Sequence, residues 1–410
     1  FRWLNDKEFR MSLSITQYPA SASLAQSPMI FTVAESTQAV LSASFQYYCN
    51  LYYWTGSLNN SGSVPDYVLT KYPNESLVGM FDVSRIMNST LTDLAYANPS
   101  NIKYYKTEFY WTFPNANGVT ISSSLVTDNV RAAVDGYQIF QESIGQQFTS
   151  LSPLYPFMTD GPVTQSLLDN QNGRMGVWVG SIGVPAGGKI PNKLQYTASL
   201  NGSVVGTGLF TVSGSASSSQ AVQQFPIGPN EANFPIVSDV SGCDINIIPY
   251  YNNEKMNNGI CFLNACIQKY PNIRIKWKNR YGQFDYYNFY LVNRQGFQST
   301  KRTYQPQLGT WQGTSLSYNS YDSSNLNYLS DSKQTLSVNS DYLDDSYNDI
   351  FKQLLVSDEI YWIYGWETAN EEVRPITIKT DSVVFKTGVN DKLVQYQFDF
   401  DWGQSYKLII

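Results

Sequence analysis

Asp399 and Asp401 are the nearest this sequence comes to an acid–base pair. They lie in a run where Val394, Tyr396, Phe398, Phe400 and Trp402 alternate with Gln395, Gln397, Asp399 and Asp401. On a strand that spacing sets both carboxyls on one face, roughly 6–7 Å apart, between the separations of retaining and inverting glycosidases. The alternation alone accounts for them as the polar face opposite the aromatics, so the pair reads as structural. Gly183-Val-Pro-Ala-Gly-Gly188-Lys189 matches most of a phosphate-cradling loop. Ile190 stands where a Ser or Thr would hold magnesium, and Pro191 blocks the helix whose N-terminus would face the phosphates. A Gly-rich hairpin or interface loop is the better reading. Arg274, Lys276, Lys278 and Arg280 alternate with Ile273, Ile275 and Trp277, which predicts a strand with one basic face. Successive cations on it are about 6.6–6.8 Å apart, a pitch that could track a phosphate backbone. On an acidic chain, an exposed face or an acidic protein partner fits better, and these four residues are the candidate partner contacts.

What is missing narrows the chemistry further. The chain has no His, which excludes Ser-His-Asp and Cys-His nucleophiles, His-ligated zinc, haem with a proximal His, and His-based pH switches. The four cysteines, Cys49, Cys243, Cys261 and Cys266, include no Cys-x-x-Cys pair and read as buried thiols. No catalytic residue, cofactor or metal is assigned, and the expectation is a protein that is not an enzyme. Trp362 and Trp366, with Tyr361 and Tyr364, form the densest aromatic cluster. Such rings can stack on sugars, but a core or interface role is favoured.

The elements that must position these residues are strands. In 410 residues only 15% are charged while 15% are aromatic, 31 of them Tyr, a balance that favours strands and turns over solvated helices. The hydrophobic share of 42% marks a folded protein. A net charge of −6 argues against a nucleic-acid binder. The fold class is mainly β and multidomain: an N-terminal β domain over 1–150, an Ig-like or fibronectin-like β-sandwich over 151–240, and a C-terminal β-rich domain over 241–410. Phe45–Tyr53 and Tyr105–Phe113 alternate with aromatics on both faces, predicting one face that covers a neighbour. Phe81–Met87 is a short helix or bend. Gly176–Val179 and Leu194–Leu200 are short strands, the second turning at Asn201-Gly202. Ser213–Ser219 is a loop and 315–340 a stretch of long loops or edge strands. One amphipathic helix is predicted over Asp341–Val356, with Leu343, Tyr347, Ile350, Phe351, Leu354 and Leu355 on its apolar stripe and Asp341, Asp344 and Asp345 in its first turn. A closing hairpin is expected, with a strand to Lys386, a turn at 388–391 and the Val394–Trp402 strand. Phe1–Arg10 is charged and aromatic, unlike a signal peptide, and Met11 fits a translation start, leaving the first ten residues as an extension or a processed start. No apolar run approaches the roughly 18 residues of a membrane span, so no membrane insertion is expected.

Several segments resemble, in order, structural proteins of tailed-bacteriophage tails. The longest is Cys266 followed by Ile273-Arg-Ile-Lys-Trp-Lys-Asn-Arg-Tyr-Gly-Gln-Phe-Asp-Tyr286 and Phe289. There, a strand ending in aromatic-x-Asn-Arg-aromatic-Gly leads into aromatic-Asp-aromatic. Phe81–Ser84, Phe157–Pro162, Phe225–Asn230, Leu354–Tyr361 and Asp391–Phe398 agree with it, so the resemblance spans roughly 80–402. It departs at Lys278, where the pattern more often has an apolar residue. The resemblance implies a virion protein of the tail, baseplate or fibre-anchoring type, assembled in the host cytoplasm in several copies. Its partners would be other virion proteins and copies of itself, without nucleic acid. It brings no catalytic residues. A receptor-binding module for host glycan, a head fibre or connector, and a glycan-degrading enzyme stay open as alternatives.

Overall fold

The computed structural model describes residues 13–36, 43–56, 58–59, 61–91, 94–98, 101–115, 117–139, 147–169, 171–185, 187–212, 221–264, 269–309, 314–364, 372–385 and 394–404. The chain is mainly β, with short helices at Ser84–Thr90, Phe148–Leu151 and Asn348–Val356. It divides into two compact units, Phe1–Ala265 with Lys278–Asp285, and Cys266–Trp277 with Tyr286–Ile410.

In the first unit, a three-stranded sheet is ordered Leu13–Gln17, Ile30–Glu35, Val78–Asp82. A seven-stranded sheet has Ala22–Leu24, Arg131–Val134, Ile102–Pro114, Gln46–Trp54 and Tyr67–Lys71 as its path. Side chains from both fill one core: Phe31, Val33 and Phe81 meet Tyr47, Cys49, Phe109 and Trp111. The alternation read from sequence becomes an antiparallel pairing, with Tyr47 opposite Trp111 and Cys49 opposite Phe109. The second aromatic face is partly closed within the sheet itself, where Tyr48 stacks on Tyr110 at 4.8 Å. Ser84–Thr90 is the short helix expected near Phe81–Met87, and Asp82 Oδ1 accepts from the Ser84 N–H at 2.9 Å. A further sheet runs Thr164–Leu167, Ile260–Asn264, Asp244–Tyr251, Lys193–Leu200, Ser203–Thr211. Its hairpin turns at Asn201-Gly202, both at positive φ, as two-residue loops of this type require. Three of its six strands, Glu254–Lys255 among them, come from beyond residue 240, so the sheet runs across the boundary drawn there from sequence.

The second unit holds a seven-stranded sheet. Its order is Phe284–Phe289, Ile273–Lys278, Ile360–Ile363, Val373–Ile378, Gln397–Trp402, Leu326–Asn339, Arg294–Tyr304. The helix expected from Asp341 begins later, as a 3₁₀ turn at Asp345–Tyr347 running into Asn348–Val356. Leu343 and Val394 exchange backbone hydrogen bonds of 2.9 and 2.7 Å, which holds the preceding residues extended. Asp344 then caps the turn by accepting from the Ser346 N–H at 3.0 Å. Ile350, Phe351 and Leu354 are buried against the sheet with Trp277, Phe289 and Phe398, as the stripe predicts, while Leu343 and Leu355 are only half-buried. The last two strands pair antiparallel as expected, but the first of them ends at Ile378 rather than near Lys386. Gln397–Trp402 lies between Val373–Ile378 and Leu326–Asn339, and 381–385 form no strand. The turn at 388–391 falls outside the described residues, as do Ser213–Ser219, Cys266 and Trp366.

Candidate functional site

The densest polar arrangement is built in the first unit on the turn Asn279–Gln283. Asn279 organises it: its Oδ1 accepts from the Tyr281 and Gln283 N–H groups, each at 3.0 Å. The Gly282 N–H closes the turn onto the Asn279 carbonyl at 3.0 Å. Gly282 sits at φ +71°, and a Cβ there would lie 2.1 Å from the Asp135 carbonyl oxygen. Only glycine satisfies both the left-handed conformation and that approach. Gly136 is its counterpart, with φ +153° and the Arg280 carbonyl where a Cβ would stand.

This turn meets Met158–Gly161. Asn279 Nδ2 donates to the Met158 carbonyl at 2.9 Å. Arg280 Nε lies 2.6 Å from Asp160 Oδ2, and its Nη2 donates to Asp160 Oδ1 at 3.2 Å. The Tyr281 hydroxyl donates to the same Oδ1 at 2.7 Å. Thr159 Oγ1 accepts from the Gly161 N–H at 2.9 Å and donates to Asp285 Oδ1 at 2.6 Å. Asp285 is buried, and its Oδ2 has no hydrogen-bond partner. Burial pushes its carboxyl up to about 7; the hydrogen bonds from Thr159 and Asn279 pull it down, and the Asp160 carboxylate pushes it up again. Nearby, Lys278 Nζ pairs with Asp135 Oδ2 at 2.8 Å, and Gln26 Nε2 donates to the other oxygen at 3.0 Å. The arrangement holds two buried ion pairs beside one carboxyl poised to carry a proton at neutral pH.

The basic stripe therefore needs correction. Arg274, Lys276 and Lys278 are 1%, 4% and 7% exposed, so no open face of cations exists. Ile273–Lys278 is an interior strand of its sheet, and the side chains opposite Ile275 and Trp277 are covered as fully as those two. Arg274 lies over the Tyr286 ring at 4.8 Å and Lys276 over Tyr361 at 6.0 Å, while Lys278 and Arg280 meet carboxylates of their own chain. Counting charges showed where the cations are; it could not show that tyrosines of neighbouring strands cap them. Asp135, Thr159 and Asp160 were not singled out as partners, because the pairs they form span more than a hundred residues. The Asn-x-x-Gly turn was the one local signal pointing here.

The other sequence candidates lie on further strands and loops. Lys189, at the end of the Gly-rich loop, pairs with Glu254 and lies over Tyr251, and a strand from Lys193 follows where a phosphate loop needs a helix. Asp399 and Asp401 share a sheet face opposite Ser337 and Thr335, half-buried between buried Phe398 and Phe400 and half-buried Trp402. The aromatic cluster is occupied by a cation of the chain: the Arg374 guanidinium stands 3.9 Å from the Tyr364 ring, 4.7 Å from Trp402 and 5.6 Å from Trp362. Cys49 and Cys243 are buried free thiols and Cys261 is partly exposed. Burial raises the Cys49 thiol well above its ordinary value, so it is inert. In the second unit a cavity of about 360 Å³ lies in the loop joining Arg294–Tyr304 to Leu326–Asn339, lined by Gln307, Leu308, Asn319, Asp322, Ser323 and Leu326 among others. Tyr318 and Tyr321 of that loop are largely exposed. Among the described residues no helix is long and apolar enough to cross a membrane, and no three His, Cys, Asp or Glu side chains gather to hold a metal ion. No family model and no curated protein sequence matches the chain.

Proposed function

We propose that the chain is a structural protein of a tailed-bacteriophage virion, of the tail, baseplate or fibre-anchoring type, working in contact with copies of itself and with other virion proteins. One observation supports this above the rest. Two of the segments that carry the resemblance, Phe157–Pro162 and the run through Asn279–Asp285, lie about 120 residues apart and meet in a single buried polar node. Each residue type in those segments has a physical task there: Asn and Gly shape the turn, Arg and Asp pair, and Thr holds the buried carboxyl. A node of this kind fixes geometry rather than turning over a substrate. A second reading, a receptor-binding module for host-surface glycan, draws on the polar cavity at the 305–325 loop and its exposed tyrosines. Mass-spectrometric inventory of purified particles from the phage that encodes the chain is the test. The structural reading expects the chain at a fixed multiple of the tail proteins, and particles lacking it would overturn that reading. Saturable binding of host polysaccharide, lost when Tyr318 and Tyr321 become Ala, would promote the receptor reading.

A further inference from the structure

Among the described residues, the second unit carries a two-stranded ribbon whose outer part has no third strand beside it. Arg294–Tyr304 pairs with Leu326–Asn339 along its whole length, from Arg294 opposite Ser337 to Tyr304 opposite Leu326. Only Thr335–Asn339 of the longer strand also pairs with Gln397–Trp402. Beyond that point no other described strand pairs with the two for about nine residues, or roughly 30 Å. All eleven residues of Arg294–Tyr304 are exposed, Phe297 and Tyr304 among them, and Tyr328 on the partner strand is exposed too. The Tyr304 and Tyr328 rings meet edge to face at 6.3 Å. A two-stranded ribbon is nonetheless marginal in water, and its backbone edges, unpaired among the described residues, call for a partner.

Charge indicates which partner. Residues 294–339 contain four basic side chains, Arg294, Lys301, Arg302 and Lys333, and two acidic ones, Asp322 and Asp331. The ribbon and its loop are thus net positive on a chain of net charge −6. In the same unit, at the foot of the ribbon, Asp341, Asp344, Asp345 and Asp349 are all exposed, Asp349 paired with the exposed Lys352 at 2.8 Å. Lys301 and Arg302 lie seven and eight residues out from Arg294, about 24 Å along the strand. That exceeds the roughly 8 Å over which charges act at physiological salt, so they do not reach those aspartates in their own copy. A second copy can bring them together.

We propose that the ribbon is the contact by which one copy of this chain holds the next, its Lys301/Arg302 end seated on the aspartates that precede and begin the Asn348–Val356 helix of the second copy. The contact is head-to-tail, so it propagates into a ring where the rotation closes. This deepens the assembly reading above and rests on it for the claim that copies meet.

Sedimentation velocity of the full chain, over a concentration series at low and high salt, tests the proposal. Wild-type chain is expected to self-associate, more weakly as salt rises. The Lys301→Glu/Arg302→Glu variant sets like charges against the aspartates, and Asp345→Lys/Asp349→Lys sets them against the ribbon. Each should weaken association on the order of ten-fold or more at low salt. All four positions are exposed, so circular dichroism should show both variants folded. An equimolar mixture of the two variants should associate again, because each ribbon then faces opposite charge. A wild-type chain that stays monomeric, variants that associate as wild type does, or a mixture that fails to recover would each overturn the proposal. Particles that contain the chain while the mixture fails would sink the ribbon contact and leave the virion role standing; recovery in the mixture with particles that lack the chain would do the reverse.

Discussion

Replacing Asp285 by Asn isolates a buried carboxyl whose ionisation the fold opposes. In the folded chain this group reaches about 7, with burial as the main cause. An unfolded Asp titrates near 3.9. Between roughly pH 4 and pH 7 the folded chain therefore holds a proton that the unfolded chain has lost, and stability falls as pH rises. The slope approaches about 1.4 kcal/mol per pH unit, and across the interval the penalty accumulates to about 4 kcal/mol. Asn carries no charge and keeps an oxygen for the Thr159 hydroxyl, which donates to Asp285 Oδ1 at 2.6 Å. Its amide would fill the place of Oδ2, which has no partner, at a cost of about 1–3 kcal/mol for a buried unpaired donor. Asp285→Asn should thus be equal to or less stable than wild type near pH 4 and more stable above pH 7. Urea unfolding of both proteins from pH 4 to 8.5 measures this. Carboxyls remote from this site titrate alike in both chains, so the difference curve reports Asp285 together with its coupling to Asp160. A difference independent of pH would refute the reasoning.

The neighbouring groups make further expectations. Lys278→Met strands the Asp135 carboxylate with the Gln26 amide still donating to it and should cost about 3–5 kcal/mol, while a Lys278→Met/Asp135→Asn double variant should cost less than the two single changes added together. Gly282→Ala forces φ +71° on a residue with a Cβ and drives that atom at the Asp135 carbonyl, so denaturant unfolding should show a loss of more than about 1 kcal/mol. Phe351→Ala empties the centre of the second unit's core, where Trp277, Tyr287, Phe289, Tyr396 and Phe398 surround the ring. A loss of about 3–5 kcal/mol is expected from its unfolding curve.

Local pattern carried the strands and failed at longer range. The alternation at Phe45–Tyr53 and Tyr105–Phe113 was legible because a period of two leaves each residue's face fixed, and the two strands do pair. Asn201-Gly202 was legible because its backbone demands left-handed residues. The start of the Asn348–Val356 helix was not, because Val394, some fifty residues on, takes the Leu343 backbone into a strand-like pair. The same limit governed the polar node. Arg280 and Asp160 are each plain surface-type residues in their own segment, and nothing within either segment states that the other is 2.6 Å away. The final strand kept its predicted faces and its antiparallel neighbour but has a second one, Leu326–Asn339, since alternation specifies which side chains are buried and not every strand that lies alongside.

The placement of charge separates two kinds of work in this chain. Arg131 with Asp128, Lys278 with Asp135 and Arg280 with Asp160 are largely withdrawn from water, and removing either member of such a pair leaves a costly bare charge. Well-packed apolar residues could supply equal stability, so these pairs are better understood as fixing which loop meets which. Arg280 and Asn279 seat Asp160 and Met158 through directed bonds that a slipped turn could not make. On the ribbon the logic is opposite. Lys301 and Arg302 are exposed at the far end of two strands whose edges are unpaired among the described residues, and there they cost nothing in desolvation until a partner arrives. Charge buried in pairs sets one conformation of the chain; charge left on the ribbon can set its register against another copy. Under the virion role proposed above, the buried pairs would hold the shape that the ribbon presents to the next copy.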